Sequence, residues 1–144
     1  MTTNYEIHPY LFFDGRCEEA IEFYRKAIGA EQVMLMRFKD APPDAKTQGC
    51  APPNAENKVM HASIRIGAST IMLSDGRCSG HPKFDGFSLS LTPPTEAEAQ
   101  RLFAALSEGG QVQAPLTKTF FSPAFGMVAD KFGVGWMIYV AGAH

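Results

Sequence analysis

What this sequence lacks narrows its reading first. Its three cysteines, Cys17, Cys50 and Cys78, are odd in number and scattered over 144 residues. That spacing makes neither a disulfide framework nor a zinc knuckle, and implies reduced thiols in a cytoplasmic protein. No charge of one sign dominates: 13 Lys and Arg against 15 Asp and Glu leave a formal net charge of −2. Neither nucleic acid nor an anionic membrane is therefore an expected partner. No run of 18 apolar residues occurs, so no spanning helix is expected, and the opening MTTNYEIHPY does not read as a signal peptide. Charged residues make up only 19% against 45% hydrophobic, the balance of a folded chain, and the length suits one domain with a single core.

Phenylalanine, by contrast, is plentiful. Eleven of them exceed what a small core needs and point to an apolar groove or a dimer interface besides. Four are in the stretch that organises the chain, FFSPAFGMVADKFGVGWMIYV, Phe120 to Val140. It reads as a strand from Ala124 to Ala129, a turn at Asp130-Lys131-Phe132-Gly133, and a strand from Trp136 to Val140. Asp130 can bond its own following backbone there, and Gly133 can take positive φ. MHASIRIGASTIMLSD, Met60 to Asp75, repeats the pattern as strand, Gly67-centred turn, strand.

Each hairpin closes a similar unit. In the first, Tyr10 to Phe13 is a short strand closed by Asp14-Gly15. Ala20, Ile21, Tyr24 and Ile28 then form one helical stripe, widened by Phe23 and Ala27. Acidic Glu18 and Glu19 open that helix, Arg25 and Lys26 close it, and Gly29 caps it. Gln32 to Phe38 follows as a strand. In the second, the period-two strand Phe87 to Leu91 is broken by Thr92-Pro93-Pro94-Thr95. Thr95 caps a helix from Glu96 to Ser107, with Glu98 completing a capping box. A strand over Val112 to Leu116 leads into the final hairpin. The chain is thus an α+β domain of about eight strands and two helices, built by duplication. Module one covers about 5–76 and module two about 86–141. The proline-rich stretch 39–58 is expected to be a mobile loop, either a lid over a site or a surface hairpin.

PYLFFDGRCEEAIEFYRKAIGAE, VMHASIRIGASTIMLSDG and FGMVADKFGVGWMI together resemble the PhnB-like branch of the vicinal oxygen chelate (VOC) superfamily, and the likeness covers nearly the whole chain. Glyoxalase I, extradiol dioxygenases and the bleomycin resistance proteins belong to that superfamily. The resemblance implies two βαβββ modules, each curling into a half-barrel, and commonly a homodimer. Some relatives carry a ubiquinone-methyltransferase label, but no strand here is followed by the Gly-rich turn of a nucleotide-type cofactor site. Metal-dependent members place ligands on the first and last strand of each module, two His and two carboxylates or a near variant. Carried onto this chain, those positions fall at His8, Met72, Gly86 or Ser88, and Tyr139. One imidazole among four implies no cofactor of the usual kind; a divalent metal is not favoured.

Alternation supplies a second set of candidates. Ala62, Ile64 and Ile66 make one face of their strand, so His61, Ser63 and Arg65 share the other. An imidazole, a hydroxyl and a guanidinium facing a cavity suit an anionic or carbonyl-bearing small molecule, with Arg37 as a neighbour. The alternative is a solvated Arg65 and a structural His61. Asp75 and Asp130 read as turn residues bonding backbone amides, Cys17 as an inert thiol, and His81 and His144 as surface residues. Trp136 is a core or cavity wall.

The resulting expectation is a small-molecule-binding VOC protein with an apolar cup lined by Phe12, Met72, Trp136 and Tyr139. His61, Ser63 and Arg65 would supply polar specificity, with His8 beside them. Two other readings stand: a metal-dependent lyase or dioxygenase-type enzyme using His8 and His61, and a drug-sequestering resistance protein.

Overall fold

Helix α1, Cys17–Ile28, forms where the apolar stripe said it would: Cys17, Ala20, Ile21, Tyr24, Ala27 and Ile28 are all buried. It ends because Gly29 takes a left-handed conformation at φ 71, which no Cβ opposes. Its start is less ordinary. Arg16, in the capping position, makes no side-chain cap, and the first amides are satisfied from elsewhere in the chain. In this computed structural model, which describes residues 5–40, 56–76 and 83–141, the donor's partner is Asp75. Its Oδ1 accepts from the amides of Gly15 at 2.7 Å and Cys17 at 2.9 Å.

The chain divides into two compact units, Met1–Pro82 and Lys83–His144. The first holds β1 (Tyr10–Phe12), α1, β2 (Glu31–Arg37), β3 (Val59–Ile66) and β4 (Ser69–Ser74). The second holds β5 (Leu89–Leu91), α2 (Glu96–Ser107), β6 (Gln111–Thr117), β7 (Phe125–Ala129) and β8 (Gly135–Tyr139). The sheet orders are β1-β4-β3-β2 and β5-β8-β7-β6. In each, the first strand runs parallel to the last and the rest are antiparallel. The duplication inferred from two hairpins is therefore present in the backbone.

Burial follows the pleat. In the first unit Leu11, Ala62, Ile64, Ile71 and Leu73 are buried at 6% exposure or less, and the register pairs Ala62 with Leu73 and Ile64 with Ile71. These side chains share the core face with α1. The tight Gly67-Ala68 turn holds the register, with Ile66 opposite Ser69.

Several element ends differ from the sequence reading. Phe38 leaves β2 and enters a single 3₁₀ turn, Phe38–Asp40. Phe87 and Ser88 precede β5 rather than joining it, and Phe87 is 46% exposed. The capping box is half formed: Thr95 Oγ1 accepts the Glu98 amide at 3.2 Å, but the Glu98 carboxylate turns to Arg101. A bidentate ion pair one turn along outcompetes the reach back to the Thr95 amide. Of the expected loop 39–58, residues 41–55 lie outside the described residues, and so does the question of a lid. Its two ends are joined, Phe38 and Lys39 donating amides to the carbonyls of Lys58 and Glu56. His81 and His144, with Cys50 and Cys78, also lie outside the described residues.

Candidate functional site

The face of the first sheet turned away from α1 carries the chemistry. Antiparallel partners project to the same side, so the pairs Met34–Ser63, Met36–His61 and Ser63–Met72 belong to this face. Tyr10 lies beside Met72, and Phe12 two residues further along β1. Its surface is mainly thioether and aromatic, with Tyr10 37%, Met34 40% and Met36 36% exposed. Upon it the Tyr10 phenol and His61 Nδ1 are hydrogen-bonded at 2.7 Å, across 51 residues of sequence. Phe12 stacks on Tyr10 with ring centroids 4.8 Å apart, fixing the phenol from its other side.

Burial raises the Tyr10 phenol's pKa above its ordinary value, so it keeps its proton at neutral pH. The tautomer of the pair decides which atom donates. If the phenol donates to Nδ1, the ring hydrogen sits on Nε2; if Nδ1–H donates, the phenol proton can turn to a ligand, with the Ser74 hydroxyl beside the phenol oxygen. Either way one donor is left for a ligand. Ser63 adds a hydroxyl two residues along the same face of β3.

The other predicted residues are placed differently. Arg65 does share the face of His61 and Ser63, but it pairs with Glu31 across the strands at 2.5 Å, and both side chains are more than half exposed. Its charge is thus engaged in a solvated ion pair. Arg37 does not join it: the guanidinium reaches Glu18 on α1 and the Asn57 carbonyl. That pairing holds the Glu18 carboxyl below its ordinary range. His8 sits ahead of β1 with Nε2 3.6 Å from Glu6. Met72 lies beside Tyr10 on this face.

In the second unit, Tyr139 pairs with Phe125 and Met137 with Met127 on the open face. Phe121 stacks on Tyr139 at 6.1 Å and meets Phe125 edge-on at 5.1 Å. Trp136 is a correction. It pairs with Val128 on the opposite face and is 2% exposed. That face is turned to α2: a Cβ on Gly126, its neighbour there, would meet the Phe103 ring at 2.7 Å. The indole donates Nε1–H to Asp130 Oδ2 at 2.9 Å. Trp136 is a core residue.

The metal that VOC relatives hold does not fit this donor set. His8, Met72, Ser88 and Tyr139 offer an imidazole, a thioether, a hydroxyl and a phenol, with no carboxylate. Both buried acids are committed to protein donors. Asp75 accepts from Gly15, Cys17 and Val59; Asp130 accepts from Phe132, Val134 and Trp136. Among the described residues no three of His, Cys, Asp and Glu converge.

Sequence reasoning missed two features. The Tyr10–His61 bond joins non-adjacent strands, which no local pattern encodes. A separate cavity of about 460 Å³ in the second unit is lined by Glu96, Gln100, Phe103, Leu116 and Lys118, among others; no local pattern signals it.

The pattern of the 3-demethylubiquinone-9 3-methyltransferase family matches residues 5–139. The chain belongs to that family, the PhnB-like branch of the VOC superfamily. It is 36% identical to protein YjdN of Escherichia coli over 138 residues, 93% of this chain and 94% of that one. Protein PA1353 of Pseudomonas aeruginosa is 38% identical with a TM-score of 0.82, over 96% of this chain and 98% of that one. The PhnB protein of Bacillus cereus is 29% identical with a TM-score of 0.76, over 95% and 100%. A glyoxalase-related enzyme of Fulvimarina pelagi, 17% identical over 96% of this chain and 88% of that one, shares the fold at a TM-score of 0.60.

The family's name implies a methyl donor. Neither strand-to-helix turn of this PhnB-like chain fits a nucleotide-type one. After β1 the amides of Gly15 and Cys17 are bonded to Asp75, and after β5 the connection is Thr92-Pro93-Pro94-Thr95, whose prolines have no amide to offer. Among the described residues no helix is long and apolar enough to cross a membrane.

Proposed function

We propose that this PhnB-like protein binds a small carbonyl-bearing molecule on the open face of its first sheet, without the metal its distant relatives use. One observation carries the reading: the Tyr10–His61 hydrogen bond, 2.7 Å long, set among Phe12, Met36 and Met72. An apolar surface with one polar pair is how small-molecule sites combine affinity with orientation. The pair has a free donor in either tautomer, and Ser63 offers a second. Arg65 contributes less than its charge suggests, because an anionic ligand would have to displace Glu31; this moves the ligand class from anions in general toward carbonyls. Assembly as a homodimer in a reducing cytoplasm completes the reading.

The metal-dependent lyase or dioxygenase reading is weaker: His8 has only Glu6 beside it, and among the described residues no third ligand joins them or His61. A drug-sequestering role gains one observation, the ring cluster Phe120, Phe121, Phe125 and Tyr139, of which Phe120 and Phe121 are exposed; it suits a planar apolar compound.

The test is a thermal-shift screen of small aldehydes, ketones and oxo acids, with elemental analysis of the same sample. A compound that raises the melting temperature of the parent and not of His61→Ala is the expected result. One zinc, nickel or iron per chain, lost with His8→Ala, would overturn the metal-free part. A stabilising compound indifferent to His61 would place binding elsewhere.

A further inference from the structure

The Tyr10–His61 bond has two polarities, and the difference between them is a chemical capability. In one, Nδ1–H donates to the phenol oxygen, leaving a lone pair on Nε2 and the phenol proton turned outward. In the other, the phenol donates to Nδ1 and Nε2 carries the hydrogen. Both partners are neutral in both forms. Moving from the first to the second takes in a proton at Nε2 and releases one from the phenol oxygen, with no change in charge.

We propose that Tyr10 and His61 act as a bifunctional proton-transfer pair that interconverts the keto and enol forms of a 2-oxo acid with an apolar side group; this rests on the binding reading above. The step balances as follows. Nε2 removes a proton from the carbon next to the carbonyl, and the C–H electron pair becomes the carbon–carbon π bond. The carbonyl π pair moves onto oxygen, which takes the phenol proton. The phenol oxygen in turn takes the proton from Nδ1. The enol leaves neutral at the former carbonyl, the pair is left in its second polarity, and the reverse reaction restores the first. No oxidant, metal or cofactor enters.

The surroundings favour this class. Phe12, stacked on the phenol at 4.8 Å, holds the Tyr10 ring in place. Met36 and Met72 flank the pair and give an apolar side group a soft, adaptable surface. The Ser63 hydroxyl, on the same strand face as His61, lies where a carboxylate could accept from it. Burial keeps the phenol protonated, as the donating partner must be.

Phenylpyruvate is the probe. Supplied as its enol to the full chain, it is followed by loss of enol absorbance, while broadening of its aromatic proton NMR signals reports binding. The parent should accelerate ketonisation over buffer. Tyr10→Phe and His61→Gln should each cut that acceleration by about a hundredfold or more, with circular dichroism unchanged and broadening retained in Tyr10→Phe. Binding without acceleration overturns proton transfer and leaves the binding reading intact. Neither broadening nor acceleration overturns both for this ligand class. Acceleration that survives both substitutions overturns the role of the pair.

Discussion

Asp75, at the end of β4, accepts the amide proton of Cys17 at 2.9 Å and so caps from 58 residues away a helix with no side-chain cap of its own. Its other oxygen takes the amide of Val59. One carboxylate, 1% exposed, thereby joins the β1–α1 turn, α1 and β3.

Removing that carboxylate leaves three amide donors without a partner, two of them in buried hydrogen bonds. Asp75→Ala should cost about 3 kcal/mol or more, read as a fall in the urea midpoint at unchanged slope. Asp75→Asn should cost less, since its carbonyl still serves Gly15 and Cys17 while its NH2 opposes Val59. A loss below about 1 kcal/mol for the alanine variant would show that water replaces the cap.

Cys17 supplies a pH dependence. Burial, reinforced by the Asp75 and Glu18 charges, pushes its thiol well above the ordinary range. The folded pKa is raised above the unfolded one, so stability is full below the unfolded value of about 8.5 and falls as pH rises past it, because only the unfolded chain ionises. The Cys17 share should fall by about 1.4 kcal/mol per pH unit above that point. Urea unfolding of the parent against Cys17→Ala between pH 7 and pH 10 isolates it, and parallel curves would refute it.

Gly110 is where α2's exit passes the β7 hairpin. A Cβ there would lie 2.1 Å from the Ala129 carbonyl oxygen and 2.9 Å from the Asp130 Cα. Both obstacles are backbone, so relief requires moving the strand end. Gly110→Ala should cost about 2 kcal/mol, whereas Gly133→Ala, with open space but φ 91, should cost about 1 kcal/mol. The order of the two melting temperatures checks the argument.

The Arg65–Glu31 pair should contribute little. Both side chains are more than half exposed, so a double-mutant cycle with Arg65→Ala and Glu31→Ala should give a coupling of about 0.2–1 kcal/mol. Added salt should lower it. A larger coupling would mean that the pair is shielded from solvent, as it would be under a bound partner.

Assembly is the last test. Tyr10, Met34 and Met36 on one sheet, and Phe120 and Phe121 in the other unit, are large apolar side chains at 36% exposure or more. Light scattering at micromolar concentration should give twice the chain mass, from an interface of roughly 2,000 Å² or more. A monomer would overturn the homodimer.

The sequence by itself determined everything governed by local periodicity. The α1 stripe, the Gly29 cap, the Thr95 cap, both hairpins and the helix-facing sides of β1, β3 and β4 are set by residues within one or two turns or strand repeats of each other. Asp130 was legible as a backbone-bonding acid for the same reason, since the Phe132 and Val134 amides lie within its turn. Asp75 bonds backbone amides too, but those of Gly15, Cys17 and Val59, which only the folded chain brings to it. What the tertiary structure decided involves partners far apart in the chain. Arg65 shares its expected face, but only the β2–β3 register shows that Glu31 stands opposite it and takes its charge. Trp136 was assigned to a cup, yet pairing with Val128 puts it in the core; a large aromatic is equally at home in either place, so composition cannot choose. The Tyr10–His61 bond needed the β1-β4-β3 order, because two side chains on non-adjacent strands meet only once the intervening strand has fixed their separation and the pleat has aimed both to the same side.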